Sequence, residues 1–149
     1  MVQRPSEIRT IILGEHRELR ERLAEIVTNL SRATAEPNVR AELQQQLARF
    51  YEKFLLHIEH EEQILRPVLA DIDNWGPIRI QQMDEEHVEQ RELIRELSRL
   101  LPDPDLRAYS ERIRAFVLDV LADMDAEERE CLSKDVLRDD TTSIDAFGG

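Results

Sequence analysis

The sequence is poor in the residues that make disulfide frameworks, tight turns and phosphate sites. Cys131 is its sole cysteine, so no internal disulfide can form, and a reducing, cytoplasmic setting is the expectation. Only four glycines and six prolines occur in 149 residues, which excludes collagen-like and low-complexity classes. Positive charge is scarce: 20 Lys+Arg stand against 32 Asp+Glu, a net charge of −12. Phosphate backbones and anionic membrane surfaces would be repelled, so neither nucleic acid nor membrane is an expected partner. No long apolar run is present, and the N-terminus reads as neither a signal peptide nor a membrane span. No Gly-rich phosphate loop, Ser/His/Asp arrangement or basic patch appears.

What the chain does have is Leu, Glu and Arg, straight-chain residues that lose little rotamer freedom in a helix. Turn signals divide it into four long pieces. The breaks are Ala33 to Asn38, Asp73 to Pro77 and Leu101 to Asp105. In the last break, Asp103 reads as an N-cap followed by Pro104 at the first helical position. Pro67 should end or kink the second helix. The expected domain spans residues 1–138, with a polar, mostly irregular tail over 139–149.

Each piece carries an inward stripe with steps of three and four. The first runs Ile8, Ile12, His16, Leu19, Leu23, Ile26, Leu30. The second includes Phe50, Phe54, His57, Glu61, Ile64 and Val68. The third includes Met83, His87, Gln90 and Ile94. The fourth includes Phe116, Val120, Asp123, Glu127 and Cys131. Short connections place neighbours antiparallel, so the fold class is all-α, an up-down-up-down four-helix bundle.

The anomaly lies within the stripes. His16, His57, Glu61, His87, Asp123 and Glu127 occupy positions that should be core. A carboxylate buried without a partner costs several kcal/mol or neutralises. Counted from the breaks at ~1.5 Å rise per residue, these groups fall near one common layer. Compensating positive charge is therefore expected in the middle of the bundle.

An internal repeat supports the layer. Glu15-His16-x-Glu18-x-Arg20-Glu21 matches Glu86-His87-x-Glu89-x-Arg91-Glu92, and His57 to Glu62 matches Asp123 to Glu128 in register. The chain reads as two similar helical hairpins. Imidazole and carboxylate are N/O ligands suited to iron, manganese or zinc. Six such ligands divide between two ions, with Glu61 and Glu127 placed to bridge and His16, His57, His87 and Asp123 terminal. Glu15, His60, Glu62, Glu86 and Glu128 lie off the stripes, as solvated groups or partners of the ligands.

On Glu15-His16, His57-x-x-x-Glu61-Glu62, Glu86-His87 and the final Glu127-Glu128, the chain resembles the hemerythrin-like, or HHE cation-binding, domains from about Ile8 to Leu137. That resemblance implies a non-haem centre of two iron ions, oxo- or hydroxo-bridged, with bridging carboxylates and an open position for dioxygen or a related diatomic. It carries His16, His57, Glu61, His87 and Glu127 onto family ligand positions. Asp123 departs from it, standing where the family usually has histidine. Arg91 stands where oxygen-carrying hemerythrins have a further histidine, which argues against plain oxygen carriage.

Three functions remain open on the sequence. One is a domain that binds or senses dioxygen, nitric oxide or iron and redox state. Another is a diiron oxidoreductase or an iron–sulfur cluster repair protein. The third is a metal-free structural bundle. Binding or sensing is favoured over turnover, because no substrate pocket or catalytic acid is evident.

Overall fold

A computed structural model describes residues 3–101 and 106–140 of the chain. Helix α1 spans Pro5–Arg32 and α2 spans Pro37–His60. A π-helical turn, Glu61–Leu65, joins α2 to α3, Arg66–Ile72. Helices α4, Gly76–Leu100, and α5, Leu106–Glu130, complete an all-α bundle of four antiparallel rods. Rod α1 packs against α2 and α5, and α4 packs against α2, α3 and α5. The expected Asp103–Pro104 cap and residues 141–149 of the expected tail lie outside the described residues.

Prolines open the helices where the missing N–H costs nothing: Pro5 and Pro37 sit at the first turns of α1 and α2. The N-terminus of α1 is closed from the far end of the chain. Asp139 accepts hydrogen bonds from the Ser6 N–H (2.9 Å) and the Ser6 hydroxyl (2.6 Å), placing negative charge on the positive end of the helix dipole. The other end of the bundle's last helix is covered by cations. Arg9 Nε donates to the Leu132 carbonyl (2.7 Å) and Arg79 Nε to the Glu130 carbonyl (3.0 Å). Gly76 is required by close approach: a Cβ there would collide with the Leu69 carbonyl oxygen and lie 3.0 Å from that of Ala70.

Pro67 neither ends nor sharply interrupts the second rod. The Arg66 N–H bonds to the Glu61 carbonyl, an i→i+5 link, and the widened turn admits the proline ring without breaking the rod. The wide turn shifts the register. Leu65, Leu69 and Ile72 are buried after Glu61, whereas Ile64 and Val68, expected on the stripe, are only partly buried. One extra residue in the turn rotates everything beyond it.

The apolar core is in two parts. One cluster runs from Leu19 to Leu30, Leu43 to Ile58, Ile94, Leu97 and Tyr109 to Met124. The other holds Ile8, Ile12, Leu65, Leu69, Ile72, Met83, Cys131, Leu132 and Leu137. Along every rod the boundary between them is polar: His16 on α1, Glu61 after α2, His87 on α4 and Glu127 on α5. No helix among the described residues is long and apolar enough to cross a membrane.

Candidate metal centre

The boundary layer is a meeting of imidazoles and carboxylates. One ligand atom each from His16, His57, Glu61 and Glu127 lies within 4.8 Å of all the others. His16 and His57 bring their ring centroids to 5.0 Å. His57 Nε2 approaches Glu61 Oε1 at 2.8 Å, His16 Nε2 approaches Glu127 Oε1 at 3.1 Å, and His87 Nε2 stands 3.7 Å from Glu61 Oε1. His16, His57, Glu61 and His87 are all buried, at 5% exposure or less.

The opposite edge of every ring is held from outside. The Nδ1 of His16 pairs with Glu128 (3.0 Å), that of His57 with Glu15 (2.7 Å), and that of His87 with Glu62 (3.2 Å). A carboxylate at Nδ1 keeps the proton there and leaves the Nε2 lone pair turned inward, as a metal-binding imidazole requires. Arginines anchor two of these carboxylates in turn: Arg20 to Glu128, and Arg91 to Glu62 through both terminal guanidinium nitrogens. Arg91 thus supports the ring of His87 through Glu62. Glu15 also accepts from His60 at the surface. The backbone repeats a feature here as well. The Glu127 carbonyl accepts from both Cys131 N–H (2.8 Å) and Leu132 N–H (3.0 Å), so a wide turn follows each of the two inward glutamates.

The profile of the Hemerythrin HHE cation binding domain matches residues 7–134. The chain belongs to that family. No curated protein and no solved structure gives a match.

Whether this HHE domain's residues suit a cation can be judged from the atoms left over. Glu61 Oε2 and Glu127 Oε1 are buried and lack a hydrogen-bond partner. His16 Nε2 is near Glu127 Oε1 in distance, but not in hydrogen-bonding geometry. Two orphaned carboxylate oxygens beside inward imidazole nitrogens are an N/O donor set that a divalent cation would satisfy. The residues present fit a metal.

The proton balance points the same way. Burial alone would depress His57, but hydrogen bonds to Glu15 and Glu61 outweigh it and raise its pKa to about 9. His87 is raised as well: burial opposes, and the nearby Glu61 carboxylate and its charge prevail. His16 is lowered, chiefly by burial, so its neutral, ligating form is favoured. Burial would raise Glu61, yet the nearness of Glu127 and of the His57 and His87 imidazoles holds it well below the usual carboxylate range. Glu127 goes the other way, pushed well above that range by burial and by the charge of Glu61. The opposed shifts of Glu61 and Glu127 come from two carboxylates crowded in one buried layer, a crowding that a cation would relieve.

The fourth rod differs from the sequence expectation. Met124 is buried in the core, and Asp123 is half-buried, outside the group of four convergent ligand atoms. It accepts a hydrogen bond from Gln90 Nε2 at 2.9 Å and lines the central cavity. His87 also lies outside that group, although it faces Glu61. Cys131 is buried and its thiol pKa is pushed up to about 12 by burial, so it is an apolar core residue without nucleophilic character.

Proposed function

We propose that this HHE domain holds a non-haem pair of iron ions and uses it to bind or sense a small diatomic ligand, dioxygen or nitric oxide, or iron and redox state. The supporting observation is the buried convergence of His16, His57, Glu61 and Glu127, with two carboxylate oxygens left without partners. Under this reading His16 and His57 would hold one ion and His87 and Asp123 the other, with Glu61 and Glu127 available to both. Manganese or zinc would suit the same donors. When bound, paired iron supplies the redox change and an open coordination position for the diatomic.

The chain's own residues do the rest. Glu15, Glu62 and Glu128 orient the three rings, and apolar clusters on both sides of the layer keep bulk water out. That enclosure suits a ligand of a few atoms more than an organic substrate, so reversible binding is favoured over turnover. The cytoplasmic setting, and the absence of nucleic acid as a partner, are part of this proposal and rest on the lone cysteine and the net charge of −12.

Anaerobic reconstitution with excess iron(II) tests the reading. Two irons per chain and an absorption band that changes on admitting oxygen or nitric oxide are expected. No bound iron would overturn it. Steady consumption of peroxide or nitric oxide, lost in Glu61→Ala, would move the assignment to a diiron oxidoreductase.

A further inference from the structure

The two hairpins match residue for residue around the site, with exceptions that fall together. Glu15, in the first half, is held outside by two donors, His57 Nδ1 and His60 Nδ1. The repeat places Glu86, Asp123 and Ala126 at the corresponding positions of the second half. Asp123 and Ala126 offer no such donor. Glu86 has therefore lost both of the groups that would keep it outside, and among the described residues no hydrogen bond is made to its side chain. Glu15 borders an outer groove between α1 and α2, whereas Glu86 lines the central cavity together with His87, Asp123 and Glu127. Glu61 lines that cavity too and carries the buried, partnerless Oε2.

We propose that Glu86 is a metal ligand in this chain. It joins His87 and Asp123 to make the second ion position oxygen-rich, where the first, with His16 and His57, is nitrogen-rich. This rests on the two-ion reading above. The substitution of Asp123 for histidine does not leave the second ion short of a ligand; it converts a carboxylate that would have oriented a ring into one that binds. Oxygen donors favour hard cations, so the two positions should differ in metal preference, the second leaning toward manganese(II).

Manganese(II) is the probe, titrated calorimetrically into metal-free protein, with electron paramagnetic resonance of the loaded protein as a second readout. The wild type is expected to bind two ions in separable steps and to show a spin-coupled pair. Glu86→Gln should weaken the second step by at least about tenfold and remove the coupling, leaving the first step unchanged. The intact first step shows that the variant is folded. In an Asp123→His background, where the ring needs an orienting carboxylate again, Glu86→Gln should no longer remove the coupling. A Glu86→Gln protein that binds two ions as the wild type does would overturn the proposal. So would a wild type that takes a single ion, although the metal reading would then survive for the first position. A protein that binds no manganese and no iron would sink both.

Discussion

Glu128, on α5, crosses to α1 and sets its Oε2 3.0 Å from His16 Nδ1. The same relation joins Glu62 to His87 one repeat earlier in the chain, and each carboxylate is steadied by the arginine at the matching position, Arg20 or Arg91. Each inward glutamate is thus followed by one that reaches to the next rod and orients its imidazole. Glu128→Ala should weaken metal binding by about 10–100-fold, since such partners set ring orientation and basicity. Its stoichiometry should stay that of the wild type. Titration of the variant with iron(II) or manganese(II) checks this; unaltered affinity would show that the ring is held by packing alone.

The metal-free domain should lose stability as pH rises. His57 has a folded pKa of about 9 against an ordinary 6.5. A raised pKa means that the protonated form stabilises the fold. That contribution is complete below about pH 6.5 and is lost as pH climbs through 9. Raised His87 and Glu127 act in the same direction. Metal binding needs deprotonated ligands, so the loaded protein should show the opposite trend over this window. Melting temperatures of chelated and loaded protein between pH 6 and 9 should diverge. A domain this size shifts by about 2–4 °C per kcal/mol. Parallel curves would contradict the account.

The π turn makes a claim about register that side-chain truncation can read. Leu65→Ala should cost about 2–5 kcal/mol, the usual loss for a fully buried leucine. Ile64→Ala, one residue earlier and only partly buried, should cost about 1 kcal/mol. Denaturant unfolding distinguishes them, and the reverse order would mean that the rod runs as an unbroken α-helix.

Gly76→Ala should destabilise the α3–α4 corner by about 1–3 kcal/mol, because the added methyl group meets the backbone carbonyls of Leu69 and Ala70. A neutral effect on thermal melting would show that the corner can open at no cost.

Much of this was legible in the residues. Steps of three and four named the four rods, and the polar interruptions at His16, His57, Glu61 and Glu127 stood out because burial of such groups demands compensation. The π turn is not legible in a periodicity of 3.6 residues per turn; its sign is Pro67, whose missing N–H asks the preceding turn to adjust. Glu15, Glu62 and Glu128 fell off the stripes, as helix periodicity requires of residues adjacent to inward ones. Their pairings cross to neighbouring rods, and sequence spacing does not report those. Met124 is buried as its repeat counterpart Ile58 is, whereas the shorter, charged Asp123 is less buried than its counterpart His57.

The most direct test is a crystal grown or soaked in ferrous salt under anaerobic conditions and measured on both sides of the iron absorption edge. An anomalous difference peak within coordination distance of His16, His57, Glu61 and Glu127 is the predicted result. A map in which those side chains keep one another's company through water alone, with no anomalous density between them, would contradict it.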